Sequence, residues 1–254
     1  MRIIIITQNE PFYLAENLSY LIDILPKHSK IVGCVVSDVS PFGKKESFIK
    51  KAKKTYDIFG IQFFIHYSLK YIFAKFNSKK NVFSVLKKNQ ITPILLDEPI
   101  NNLNSVKQIK VLKPDLLISI LGNQIFKAPI LNLAPKGCLN LHTSLLPKYR
   151  GLMPTFWVLK NEEKKTGVSV FYVDEGIDSG PIIVQKEVEI GNKNQQQLIM
   201  QTKKLGMKAI AESVDLIKMN KVNLIENDTA KKTYYTFPNR NDVIDFKSKG
   251  KKFF

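Results

Sequence analysis

Residues 137–183 read GCLNLHTSLLPKYRGLMPTFWVLKNEEKKTGVSVFYVDEGIDSGPII, and the short opening run, Cys138-Leu139-Asn140-Leu141-His142, alternates as a strand does. Successive strand side chains point to opposite faces, so Asn140 and His142 share one. Pro147 and Gly151 then force a loop. A second strand, Gly167 to Val173, runs into the acidic turn Asp174-Glu175-Gly176-Ile177-Asp178-Ser179-Gly180-Pro181. An amide donor and an imidazole on one face, with a carboxylate on a glycine-rich turn, form an inventory for making or breaking an amide at a carbonyl. Thr143 and Ser144 read as backbone-capping residues rather than nucleophiles, because no Ser-His-Asp ordering surrounds them.

Outward from this stretch, strands and helices alternate. Arg2 to Thr7 is an isoleucine-rich buried strand, followed by Gln8-Asn9-Glu10-Pro11, which contains no glycine to cradle a phosphate. A helix starting at Pro11, with Leu14, Leu18, Leu21, Ile22 and Leu25 on its apolar face, ends near Pro26. Lys30 to Val36 is a second strand. A turn at Pro41-Phe42-Gly43 precedes a basic helix over Lys44 to Phe59. Next, Phe63, Phe64, Tyr67, Tyr71, Phe73 and Phe76 are spaced as a helix with two crowded apolar faces. Their expected role is core packing or a dimer contact. The alternative is peripheral membrane contact, since aromatics flanked by lysines suit a lipid interface. Ile91 to Leu96 is a third strand. Asn102 or Asn104 caps a helix running through Leu112. Asp115 to Ile120 is a fourth strand. Gln195 to Met219 is a long amphipathic helix with Leu198, Leu205, Ala209, Val214 and Ile217 inward. This alternation predicts an α/β fold with a mostly parallel twisted sheet and helices on both faces. Ligands in such sheets bind beyond the carboxyl ends of the strands.

The chain has 254 residues, 44% of them hydrophobic, which is ample for a globular core. Cys34 and Cys138 sit in apolar runs and read as buried reduced thiols. Three histidines without a Cys-x-x-Cys pair predict no metal site. The first apolar run is too short for a signal peptide, and no run approaches a membrane span, so the expected location is cytoplasmic. The formal charge is +17, yet the arginines are only Arg2, Arg150 and Arg240. Arginine does the bidentate work of phosphate and base recognition. Dispersed lysine therefore reads as solvated surface, and nucleic acid is not the expected partner.

The string Asn140-x-His142, then Ser144-Leu145-Leu146-Pro147-Lys148-Tyr149-Arg150-Gly151, then Asp174 to Pro181, resembles the formyltransferase family, whose members use 10-formyltetrahydrofolate. The resemblance implies a Rossmann-like formyltransferase fold, with a catalytic domain over 1–190 and a helical insertion at about 40–90. Residues 191–254 would form a C-terminal helix and a short basic extension, too short for the second domain expected of transfer-RNA formylating members. It further implies catalytic roles for Asn140, His142 and Asp178, with no metal. The pterin slot would be formed by Leu121 and Gly122 together with Val173, Asp174, Gly176 and Asp178, largely through backbone groups. The missing glycine loop departs from members that formylate glycinamide ribonucleotide. The segment Arg150 to Trp157 resembles sugar N-formyltransferases more than the others. The expected acceptor is thus the primary amine of a nucleotide-linked amino sugar, with Arg150 and Trp157 as contacts. For Trp157, a place in the helix core is the favoured role, ahead of stacking on a sugar or base. Methionyl-tRNA formylation and 10-formyltetrahydrofolate hydrolysis are the rival activities.

Overall fold

The computed structural model describes residues 1–39, 46–76, 81–122 and 124–254. Among these, the central sheet has seven strands in the order β3-β2-β1-β4-β5-β7-β8. The strands are β1 (Arg2–Gln8), β2 (Lys30–Ser37), β3 (Thr92–Ile94), β4 (Leu116–Ser119), β5 (Cys138–His142), β7 (Lys165–Tyr172) and β8 (Ile182–Glu189). Neighbours from β3 to β5 pair in parallel, whereas β7 runs antiparallel to both β5 and β8. Two short strands, β6 (Arg150–Gly151) and β9 (Tyr234–Tyr235), form a separate pair.

The isoleucine run of β1 shows why the sheet is covered on both sides. Ile3 and Ile5 join a core that includes Leu18 and Leu21 of α1 (Leu14–Ile24) and Ile210 and Val214 of α8 (Gln195–Lys218). Ile4 and Ile6 join another, with Ile109 of α5 (Leu103–Lys110) and Ile130 of α6 (Ala128–Leu131). One residue in two goes to each face. Each fully buried aliphatic side chain contributes on the order of 1.5–3 kcal/mol, so this alternation anchors the layer order. Cys34 and Cys138 are buried free thiols, one in each core.

Asn102 supplies the cap of α5, accepting from Asn104 N. α8 spans the expected length, opens with an Asn194–Gln197 capping box, and buries Leu198, Ala209, Val214 and Ile217. Two expectations are corrected, and one strand is added. α1 begins at Leu14 rather than at Pro11, because the Glu10 carboxylate accepts from the amides of Phe12, Tyr13 and Leu14 and holds the preceding turn. The third strand shrinks to three residues at the sheet edge, where Pro93 has no N–H to give. β8 was not read from the sequence: after three buried residues it is half-exposed and charged, so its apolar pattern is weak.

The aromatic region forms α2 (Phe48–Phe59) and α3 (Ile61–Phe76), followed by α4 (Val82–Lys88). The turn expected at Pro41-Phe42-Gly43 lies outside the described residues. At the far end of the chain, α9 (Arg240–Ser248) and Phe253 pack on α7 (Pro154–Lys160). Phe156, Phe246 and Phe253 stack at 4.6–6.2 Å between centroids.

Candidate active site

β5 lies between β4 and β7, with Asn140 level with Ser119 on one side and Phe171 on the other. The turn after β4 leaves at the carboxyl end of β5, whereas the loop after antiparallel β7 leaves at its amino end and folds back until Asp178 meets His142 and Gly151. Asn140 is half-buried. Among the described residues no side-chain hydrogen bond engages its amide, which leaves a donor available.

His142 is only 6% exposed and is held from two sides. Its Nε2 lies 2.7 Å from the Tyr149 carbonyl, and its Nδ1 lies 3.5 Å from Asp178 Oδ2. A carbonyl only accepts, so Nε2 carries the proton in that bond. The Nδ1 edge is left facing the carboxylate, and a proton taken up there would be shared with Asp178. The same Asp178 oxygen accepts from Gly151 N at 2.8 Å. The carboxylate thus ties the acidic turn to the segment after β5.

That segment is held by contacts near and far in the chain. Ser144 is fully buried and donates to the Lys148 carbonyl at 3.0 Å, so it closes the loop, as its sequence context predicts. Tyr149 takes a left-handed conformation (φ 60°) and donates its hydroxyl to Glu163 at 2.7 Å. Burial first, and then Glu163, push the Tyr149 phenol well above its ordinary range. Gly151 has φ 95°, and a Cβ there would lie 2.2 Å from the Tyr235 carbonyl, so β9 can close on β6 only over a glycine.

The other predicted residues fall as follows. Leu121 (φ 60°) and Gly122 form the turn directly after β4, and Gln8 Nε2 donates to the Leu121 carbonyl. A cleft of mixed character, lined by Ile6, Ile100 and Phe126 together with Thr7, Glu98 and Gln124, opens beside it. Val173 N is spent on the Cys138 carbonyl. Asp174 closes the acidic turn on itself, accepting from Gly176 N at 3.0 Å and Ser179 Oγ at 2.6 Å. Arg150 and Trp157, expected to touch substrate, are both buried. The Trp157 indole donates to the Thr236 carbonyl and stacks on Tyr235 at 4.6 Å, which is the helix-core placement. Arg150 donates through one nitrogen to the Asn227 side-chain oxygen (2.8 Å) and carbonyl (3.1 Å).

Two participants escaped the sequence reading. Asn227, itself buried, donates from Nδ2 to the carbonyls of Asp178 and Gly180, both at 2.9 Å, while its oxygen receives Arg150. One side chain therefore clamps the Asp178 turn to the segment after β5, from 49 residues away. Nothing in the local pattern of ENDTAKK announces this. Glu10 is the second. Its carboxylate occupies the amides at the start of α1, where nucleotide-binding α/β proteins place a phosphate. A glutamate next to a proline after the first strand was the available signal. No cluster of metal-ligating side chains occurs among the described residues.

The formyl transferase sequence profile matches residues 68–214, more than half of the chain, and the chain belongs to the formyl transferase family. The methionyl-tRNA formyltransferase of Alkaliphilus oremlandii is 38% identical over 143 residues, covering 56% of this chain and 46% of that protein. That of Kosmotoga olearia is 36% identical over 153 residues, covering 60% and 49%. The chain thus matches about half the length of these curated relatives. Among solved structures, glycinamide ribonucleotide transformylase 1 from Symbiobacterium toebii superposes with a TM-score of 0.62 at 16% identity, covering 89% of this chain and 92% of that one. An N-formyltransferase from Helicobacter canadensis, in complex with folinic acid and dTDP-3-aminofucose, superposes with a TM-score of 0.59 at 19% identity, covering 95% and 72%. At such identities these likenesses establish the shared α/β formyltransferase fold.

Proposed function

We propose that this chain transfers the formyl group of 10-formyltetrahydrofolate to the primary amine of a nucleotide-linked amino sugar. The observation that carries the reaction is the pairing of His142 Nδ1 with Asp178 at 3.5 Å beside Asn140, in a member of the formyl transferase family. The folate supplies the formyl carbon. Asn140 donates to the carbonyl oxygen as negative charge develops on it, an effect worth ~10²–10³ in rate for one such donor. The attacking amine must lose a proton. The Nδ1 edge of His142, which faces Asp178, is the acceptor, because the Nε2 proton is held by the Tyr149 carbonyl. The Leu121-Gly122 turn, at the carboxyl end of β5, and the Val173–Asp178 loop, which folds back to His142, suit a flat pterin held between them. Gly122 is exposed and presents backbone without a side chain.

Glu10 supports the choice of acceptor. A phosphate at the start of α1, as glycinamide ribonucleotide would require on the family expectation, would compete with a carboxylate already on those amides. A second reading rests on the relatives named methionyl-tRNA formyltransferase, at 36–38% identity over the matched segment. One experiment separates the two. The protein is offered 10-formyltetrahydrofolate with dTDP- and UDP-linked amino sugars, the free amino sugars and methionyl-tRNA, and formyl incorporation is scored by mass. Nucleotide-linked amino sugars should be formylated far faster than free ones, because the remote nucleotide positions the amine. Formylation of methionyl-tRNA alone would replace the sugar reading with the second. Release of formate with no acceptor present would identify a hydrolase.

A further inference from the structure

The α2–α3 pair carries an apolar surface that the catalytic reading does not use. The two helices turn at Gly60 (φ 83°) and run back along each other, with Phe48 against Tyr71 and Tyr56 against Phe64 at 6.1–6.2 Å. One side of α3 faces the body of the protein: Phe63 stacks on Phe59 and meets Phe253 at 4.9 Å, and Tyr67 packs on Phe12 at 4.9 Å. The other side repeats Ile61, Ile65, Leu69, Ile72, Phe73 and Phe76. At about 100° per residue these fall within a single stripe. Each is at least 49% exposed, rising to 85% at Phe76. On α2, Ile49 and Tyr56 are exposed as well. A stripe of large side chains left in water is a signature of an interaction surface.

The charge on the same element indicates what covers it. Over residues 46–76 there are six lysines, at 50, 51, 53, 54, 70 and 75, against Glu46 and Asp57. Glu46 is already paired with Lys54. Lys50, Lys53 and Lys54 are exposed along α2, and Lys75 at the end of α3. We infer that the α2–α3 pair docks this protein onto an anionic lipid surface, with the α3 stripe in the headgroup–acyl boundary and the lysines on acidic headgroups. A two-fold contact with a second copy would bury the stripe but set the lysine-rich flanks against each other. Nucleic acid would take the lysines and leave the isoleucines and phenylalanines in water. An anionic bilayer meets both requirements, and basic helices with exposed Phe, Ile and Leu bind it in the interface plane. No helix among the described residues is long and apolar enough to cross a membrane, so the contact is peripheral.

The test uses the full chain with vesicles of phosphatidylcholine alone or mixed with phosphatidylglycerol, read by flotation. The protein should float with the anionic vesicles only, and less as salt rises. Ile72→Glu with Phe76→Glu should weaken binding by about tenfold or more, since two buried apolar contacts are exchanged for charges. Lys50→Glu with Lys53→Glu should weaken it as well. Both double variants change exposed residues, so thermal stability and formyl transfer should match wild type, which distinguishes lost docking from lost folding. The proposal is overturned by absence of flotation, by equal binding to phosphatidylcholine alone, or by full binding of the Ile72→Glu/Phe76→Glu variant. It is also overturned if sedimentation shows a dimer that this variant dissociates, because the stripe then belongs to a second copy. None of these outcomes depends on which amine the enzyme formylates.

Discussion

His142 sits between two oxygens of different character, the neutral Tyr149 carbonyl on Nε2 and the Asp178 carboxylate on Nδ1. If Nδ1 takes the amine proton, then His142→Ala and Asp178→Asn should each lower the single-turnover rate by ~10²–10⁴. Folate affinity should change little in both, since the pterin is expected on backbone groups. Retention of more than about a tenth of the wild-type rate in both variants would remove the pair from the mechanism. Asn227 acts at one remove. Asn227→Ala removes the side-chain oxygen that receives Arg150, leaving it only the backbone carbonyl, and releases the Asp178 and Gly180 carbonyls, so the turn carrying Asp178 loses its clamp. Misplacement by about 1 Å can cost ~10² in rate, and we expect a fall of that size in kcat with KM for the folate nearly unchanged. Asn227→Asp keeps an acceptor for Arg150 but loses both donations, so it should recover fold stability more than turnover. Wild-type kcat in Asn227→Ala would show that the clamp is structural only.

Among the elements, α9 shows how the C-terminal segment is attached. Phe246 is fully buried between Phe156 and Phe253. Phe246→Ala should destabilise the fold by about 3–5 kcal/mol, as Phe-to-Ala changes in cores do; chemical denaturation measures it. The edge of the same contact is ionic. Lys160 of α7 lies 3.0 Å from Asp245 and 3.6 Å from Asp242. Lys160, then Lys249, hold the Asp245 carboxyl below its ordinary value. A carboxyl depressed in the folded state adds stability above its ordinary value and loses it as pH falls through the folded value. Wild type and Asp245→Asn should therefore differ in Tm near neutrality and converge in acid. A constant difference across the acid range would show that the pairing contributes nothing. The effect should be small, since exposed pairs contribute little.

For the whole molecule, the charge of +17 raises the question of RNA. If the lysines are surface charge and a lipid-facing flank, transfer RNA should bind weakly, indifferently to aminoacylation, and with a steep loss as salt rises. Tight, methionine-dependent binding at physiological salt, measured by filter binding, would favour the methionyl-tRNA reading over the amino-sugar one.

Much of this was legible in the chain, and what was not has a common cause. Periodicity marked β1, β2, β4, β5 and α8, because an apolar run can be buried on both faces only inside a covered sheet. Side-chain alternation alone put Asn140 and His142 on one face. The family motif pointed to Asp178, but only the folded acidic turn set its carboxylate against Nδ1. Arg150 and Trp157 are candidate substrate contacts by the resemblance of their segment to sugar N-formyltransferases, with the helix core the favoured place for Trp157. Their burial depends on Asn227 and on Thr236 just after β9, which arrive from 77–79 residues away to accept their hydrogen bonds. Glu10 on the amides of α1, and Asn227 between Arg150 and the Asp178 turn, are contacts of single polar atoms. They carry no periodic signature, because a hydrogen bond depends on where two atoms meet and not on the spacing of residues along the chain.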